Sequence, residues 1–331
     1  MARPLRIEGA GLWYYVMCRG NGGQHVFRGA KDYEGFLKRL GTVAAGFHVE
    51  VHGYALMSTH VHLLVRTREA NLGRFMQRLL TGYTQWFNFR HETCGPLFQG
   101  RYKALLVDKS VYGAEVSRYI HLNPVRIAGG RRQTVRQRQA ALRDYRWSSY
   151  RATIGLCSAE EWHVTKDTLA RWGASLRKQQ AGYAKYVERG LIEDIADPAE
   201  EAKAQSILGR DRFLDRIRRI LRQRARGDRE GGRLRRELMA ETIGTVVARV
   251  ARAYKVDAKD VRKACMGQRG NEARQVALWL ARERCSSRAT LREIGKEMGR
   301  VSGGAVSMAC RRIASRTKRD KRLGRMLSRL S

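Results

Sequence analysis

Hydrophobic positions along the N-terminal part of the chain come in short strand-like runs separated by stretches of helical spacing. Residues 12–18, Leu-Trp-Tyr-Tyr-Val-Met-Cys, are aromatic and apolar with high strand propensity, and Arg19-Gly20-Asn21-Gly22-Gly23 breaks that strand. Tyr33, Phe36, Leu37 and Leu40 mark a helix over 31–46. Residues 48–57 and 60–66 read as the two strands of a hairpin turned at Ser58-Thr59. The clearest helix covers 71–89: Leu72, Phe75, Met76, Leu79, Leu80, Tyr83, Trp86 and Phe87 keep one face, and Arg74, Gln77, Arg78 and Gln85 keep the other. A strand over 101–107 follows, then a helix capped by Ser110 that runs to about Leu122, since Pro124 disfavours helical geometry at Asn123. The order β-α-β-β-α-β-α suits a single antiparallel sheet with helices packed against it, an α+β fold.

Beyond this the pattern changes. Residues 125–200 are mixed, with Trp147-Ser148-Ser149-Tyr150 as a docking segment and Asp197-Pro198 as a break. Residues 200–236 are Arg-rich with sparse apolar positions and read as a solvated helix or arm. An all-helical pattern begins near 237 with Ile243, Val246, Val247, Val250 and Tyr254, then Val276, Leu278, Trp279 and Leu280. Thr290-Leu-Arg-Glu293 has the form of a capping box, Gly299 is placed to end that short helix, and another helix covers about 303–315. A short helix, a glycine-containing turn and a second helix have the spacing of a helix-turn-helix. The expected division is 1–150, a linker with basic helical character over 151–236, and 237–331 with a basic tail.

Charge narrows the function classes. The 331 residues include 66 Lys and Arg against 31 Asp and Glu, a net charge of +35. Such a surface repels itself unless its partner is a polyanion, and nucleic acid is the usual one. The six cysteines include no Cys-x-x-Cys pair, so neither a zinc ribbon nor a redox motif is indicated, and they read as buried thiols of a cytoplasmic protein. No apolar run reaches membrane-spanning length, so no membrane partner is expected.

Three features could carry chemistry. His60-Val61-His62 lies in a strand, where positions i and i+2 share a face, so both imidazoles project together. Such a pair serves as a bidentate platform for a divalent metal, or packs as two half-buried histidines; spacing alone leaves both open. In Tyr119-Ile120-His121-Leu122-Asn123-Pro124, Tyr119 and Asn123 stand one helical turn apart on one face, while Tyr112, Val116, Tyr119 and Ile120 also fit a plain apolar stripe. The loop from Arg19 through Asn21 to Gly23 offers backbone amides and a guanidinium to a phosphate, or is only a turn.

Taken in order, these pieces resemble the REP-associated tyrosine transposases, a group of single-tyrosine HUH transposases of the IS200-like type. The likeness covers the first 150 residues. It rests on Arg19-Gly20-Asn21, Tyr54-Ala-Leu-Met57 leading to His60-Val61-His62, the helix from Asn71 to Asn88, Phe98-Gln99-Gly100-Arg101-Tyr102, Tyr119 through Arg126, and Trp147 to Tyr150. One departure is Ser58-Thr59, where Pro-Asn usually precedes the first histidine.

The resemblance implies a ferredoxin/RRM-like antiparallel sheet (the HUH fold) and an enzyme that cuts and rejoins single-stranded or hairpin DNA. It further implies Tyr119 as nucleophile and His60, His62 and Asn123 as ligands of Mg²⁺ or Mn²⁺; Arg19 and Asn21 of the loop and the basic Lys103 of the last strand are the candidate DNA contacts. A monomer and a homodimer both stay open. So do two other activities: a DNA-binding regulator with an inactive sheet domain, and a metal-dependent single-strand nuclease that uses water.

The segment over about 237–315 resembles the DNA-binding domain of the bacterial chromosomal replication initiator, through Arg269 to Glu283, Leu291-Arg-Glu293-Ile294-Gly295 and Val306 to Ile313. It implies duplex DNA as a second partner. Arg274 would reach a groove or phosphate, and residues 303–312 would form the recognition helix, with Ser307, Arg311 and Arg312 toward DNA. Where the initiator carries Asp-His-Thr-Thr, this chain has Ser302-Gly303-Gly304-Ala305, which removes side chains that read base edges and leaves phosphate contacts.

Overall fold

The computed structural model describes residues 7–127, 133–193, 195–202, 207–223, 242–263, 271–285, 289–317 and 319–330. Residues 224–236 of the Arg-rich stretch, Arg269 of the initiator-like segment and Cys265 lie outside the described residues. The chain divides into two compact units, 1–225 and 226–331.

The first unit is built on a sheet of order β2-β3-β1-β4-β5. Strand β1 (Leu12–Arg19) leads through a 3₁₀ turn to helix α1 (Ala30–Gly46), hairpin β2 (Val49–Met57) and β3 (His60–Thr67), helix α2 (Leu72–Arg90), strand β4 (Lys103–Val107) and helix α3 (Lys109–Ile127). β1 pairs antiparallel with both β3 and β4. Alternation sends Trp13 and Tyr15 to one face with Ala55, Leu64, Leu105 and Val107, where Val116 and Ile120 of α3 cover them. Leu12, Tyr14 and Val16 point to the other face and are equally buried. Helices α1 and α2 pack on one another on that side, with Phe36, Leu40, Phe75, Leu79, Tyr83 and Phe87 buried.

Helix α3 departs from expectation at both ends. Asp108, not Ser110, caps it: the Asp108 carboxylate accepts from the Ser110 backbone and hydroxyl, and its carbonyl accepts from the amide of Tyr112. At the far end the helix runs straight through Pro124. A proline inside a helix costs about 3 kcal/mol. Here Leu122 and Val125 are locked into a buried cluster with Leu142, Tyr150, Leu169, Tyr183, Val187 and Leu191, and tertiary packing overrides the local preference.

That cluster also corrects the expected linker. Helices α4 (Val135–Asp144), α5 (Tyr150–Thr153), α6 (Lys166–Leu169) and α7 (Leu176–Arg189) pack onto the first unit, and strand β5 (Ile207–Leu208) adds to β4 in parallel before α8 (Asp211–Gln223). The sheet is therefore mixed, four antiparallel strands with a fifth parallel one. Sparse but regularly spaced apolar side chains were enough to dock the segment. Trp147 to Ser149 does dock as expected, along β2: the Leu56 amide donates to the Trp147 carbonyl and the Ser149 amide to the Tyr54 carbonyl.

The second unit is all helical: α9 (Ile243–Tyr254), α10 (Ala258–Arg262), α11 (Glu272–Cys285), α12 (Leu291–Glu297), α13 (Gly303–Thr317) and α14 (Lys321–Leu330). Thr290 and Glu293 form the reciprocal capping box that opens α12. The turn between α12 and α13 passes so close that a Cβ on Gly295 would meet the Val301 carbonyl oxygen at 2.0 Å, so only glycine fits there. The basic tail is helical and in part buried. In α14, Leu323, Leu327 and Leu330 are buried in the core of the unit, and Lys321, Arg325 and Arg329 stay exposed. Among the described residues no helix is long and apolar enough to cross a membrane.

Candidate active site and DNA-binding surface

The register of β1 against β3 sets Met17 opposite His62 and Arg19 opposite His60, and Met17 also faces Lys103 on β4. Directly paired residues share a face, so Arg19, His60, His62 and Lys103 project together, on the side covered by α3. They line one cavity of about 460 Å³ with Thr59, Gln99 and Arg101. The two imidazoles stand edge to face, with ring centroids 4.9 Å apart.

Their surroundings keep both rings neutral. Burial, then the Arg19 guanidinium, hold the His60 pKa below its ordinary value. Burial, then His60, push His62 down to about 3. Each ring has one nitrogen engaged: His60 Nδ1 lies 3.0 Å from the Thr59 hydroxyl, and His62 Nδ1 2.8 Å from the Tyr15 hydroxyl. His62 Nε2 is buried and has no hydrogen-bond partner. A neutral pair with a buried unpartnered nitrogen fits a divalent cation. Among the described residues no group of three His, Cys, Asp or Glu side chains is placed to hold a metal ion, so a third protein ligand beside the two histidines would be of another type.

Tyr119 reaches the same face from α3. Its ring centroid is 6.4 Å from that of His62 and 6.0 Å from that of Tyr15, edge-on to both. The helix is held on either side of it: Ser117 and His121 Nδ1 both bond the Tyr183 hydroxyl, and His121 Nε2 lies 2.8 Å from Ser149 Oγ. The phenol is pushed up to about 12, first by burial, then by the Asp197 carboxylate to which it donates a hydrogen bond, with Glu200 adding to the rise and Arg126 opposing it. The Arg126 guanidinium stands 5.1 Å over the ring.

Asn123 shares the Tyr119 face one turn on. It is buried, does not line the cavity, and its Nδ2 donates to the Tyr119 carbonyl at 2.8 Å. Asn21 is exposed in the 3₁₀ turn, outside the cavity lining, with its backbone amide donating to the Leu97 carbonyl. That turn is drawn tight against the hairpin: the Gly20 amide donates to the Thr59 carbonyl, and a Cβ on Gly20 would meet the Gln24 carbonyl oxygen at 2.1 Å.

In the second unit Ser307 is half-buried on α13, and Arg311 and Arg312 are exposed there. Arg274 does not reach outward. It is 9% exposed, and its Nη2 donates to the Met298 carbonyl at 2.7 Å, bracing the end of α12. An arginine beside apolar positions at helical spacing carries no sign in the sequence of which way it turns.

Sequence reasoning gave no role to Tyr15, Asp197, Gln99 or Arg101. Tyr15 sat inside an apolar strand, and only the pairing register reveals what lies across from it. Asp197 was a chain break beside Pro198. Gln99 and Arg101 belonged to a recognisable motif, which was the available signal.

The comparisons with known proteins fall on both units. Residues 10–123 match the family model "Transposase IS200 like", and residues 243–313 match the "Bacterial dnaA protein helix-turn-helix". Among solved structures, a REP-associated tyrosine transposase bound to a REP hairpin is similar at 13% identity and a TM-score of 0.38, over 53% of this chain and 93% of that one. No curated protein matches the chain.

Proposed function

For a DNA transposase that joins an IS200-like transposase domain to a DnaA-type helix-turn-helix, we propose cleavage and rejoining of single-stranded or hairpin DNA through a 5′-phosphotyrosine on Tyr119. The observation that carries this reading is the approach of Tyr119 to His62 on one face of the sheet, ring centroids 6.4 Å apart, beside a cavity rimmed by Arg19, Arg101 and Lys103.

The scissile phosphate would lie between the histidines and the phenol, its charge balanced by that basic rim. Tyr119 Oη attacks phosphorus and gives up its proton; the 3′ oxygen leaves and takes one up, so the strand ends as a phosphotyrosine and a free 3′-hydroxyl. The phosphoester is conserved, and attack by a 3′-hydroxyl on the phosphotyrosine reverses the step without ATP. His60 and His62 would hold Mg²⁺ or Mn²⁺ with Asn123 as the third, carboxamide ligand, and the ion when bound neutralises phosphate charge. Helix α13, through Ser307, Arg311 and Arg312, would hold duplex DNA, chiefly by its phosphates.

The test is labelled hairpin DNA with a single-stranded flank, incubated with the protein and Mg²⁺ or Mn²⁺. A covalent protein–DNA adduct is expected, and Tyr119→Phe abolishes it while duplex binding persists. Strand cutting by Tyr119→Phe at the wild-type rate, without adduct, would instead establish a water-using nuclease.

A further inference from the structure

Tyr15 stands behind the histidine pair. It is fully buried on β1, and its hydroxyl lies 2.8 Å from His62 Nδ1. A neutral imidazole carries one ring proton, and a nitrogen that ligates a metal must be the one without it. Two arrangements are compatible with the distance. Either Tyr15 donates to Nδ1 and the ring proton sits on Nε2, or Nδ1–H donates to the Tyr15 oxygen and Nε2 presents a lone pair.

The rim of the cavity separates them. Arg19, Arg101 and Lys103 line the same cavity as His62, and no Asp or Glu is among its lining. A positive surround repels an outward N–H and favours an outward lone pair. The Nε2 atom also has no acceptor to receive a proton if it carried one. The phenol oxygen of Tyr15, by contrast, is well placed to receive the Nδ1 proton.

We propose that Tyr15 is a positioning residue for the metal site, its oxygen accepting the Nδ1 proton of His62 and thereby holding the Nε2 lone pair toward the cavity. The inference rests on the metal-assisted reading above. Stacking of the Tyr15 and His62 rings, centroids 5.8 Å apart and nearly parallel, keeps the imidazole plane in line with that bond. Phenylalanine at position 15 keeps the ring and its packing and removes only the acceptor. The Nδ1 proton then loses its partner, and the preference for Nδ1 over Nε2 narrows to what the positive rim alone supplies.

The experiment uses the full chain and two readouts that need no catalysis. Histidine-selective nitrogen NMR without metal reports the tautomer, and calorimetric titration with Mn²⁺ alone reports affinity. The wild type is expected to hold the His62 proton on Nδ1. Tyr15→Phe is expected to raise the Nε2–H population and, with the ring no longer held, to weaken Mn²⁺ binding about 10–100-fold. Leu64→Ala, a truncation on the same sheet face, serves as the control for simple loosening: it lowers stability but keeps the tautomer and the Mn²⁺ affinity within about twofold. A wild-type proton on Nε2, or unchanged affinity in Tyr15→Phe, overturns the role of Tyr15 while leaving the metal site standing. Absence of Mn²⁺ binding in the wild type sinks the metal reading itself, and this inference with it.

Discussion

The two units handle charge in opposite ways. All eight histidines fall in residues 1–225, and six of these (His52, His62, His121, His163 and, half-buried, His60 and His91) are taken out of water; residues 226–331 contain none. The first unit places neutral imidazoles and phenols in fixed hydrogen bonds, where atomic position decides what they do. The second keeps an apolar core and exposes arginines such as Arg311 and Arg312, where net charge matters more than orientation. A site for bond-making thus depends on burial, and a site for holding a polyanion depends on exposure. The units should consequently fail under different stresses.

Acid gives the largest separation. Burial holds His52 and His163 at about 4 and His121 at about 3, against 6.5 in an exposed chain. Between those values the unfolded chain binds protons that the folded one refuses, so stability is full above pH 6.5 and is lost as pH falls. Each group contributes about 1.4 kcal/mol per pH unit. Three together remove roughly 4 kcal/mol per pH unit, against a typical total of about 5–15 kcal/mol. The first unit, which holds Trp13, Trp86, Trp147, Trp162 and Trp172, is expected to lose its native tryptophan emission near pH 5, while the helical circular dichroism of the second unit remains. One concerted transition of both units would break the comparison.

Within the second unit, two kinds of arginine can be told apart. Arg274→Gln removes a buried charge-assisted bond to the Met298 carbonyl and should cost about 1–3 kcal/mol of stability, with the salt dependence of duplex binding unchanged. Arg311→Gln with Arg312→Gln should leave thermal stability nearly unaltered and flatten the plot of log affinity against log salt by roughly 2. Thermal melts and binding titrations across salt read both effects. A change in slope with Arg274→Gln would return that residue to the DNA surface.

Much of the fold was legible because it rests on local rules. Strands β1 to β4 and helices α1 and α2 appear within a residue or two of where apolar spacing puts them, and Thr290 with Glu293 caps α12 as the motif requires. What escaped was non-local. The passage of α3 through Pro124 depends on Tyr150, Tyr183 and Val187, side chains well beyond it in sequence. The parallel strand β5 is two residues long and has no periodicity to read. Of the site, same-face projection of His60 and His62 followed from strand geometry, whereas their distance to Tyr119 could not. Of the cysteines expected to be buried, Cys18, Cys285 and Cys310 are, and Cys94 and Cys157 are exposed.

The finest test concerns Asp197, which sits half-buried and holds the Tyr119 phenol in its protonated form. Burial is the larger cause of the raised phenol pKa, and the carboxylate is the next. Asp197→Asn removes the charge and leaves the burial, so it should bring the phenol partway back toward its ordinary value. More phenolate is then present at any pH below that value, and the pH profile of adduct formation should move to lower pH by about one unit or less. Arg126→Gln removes the opposing cation and should move the profile the other way. If Asp197→Asn abolishes adduct formation at every pH instead, the carboxylate is the acceptor of the Tyr119 proton, and burial in this unit supplies the base as well as the nucleophile.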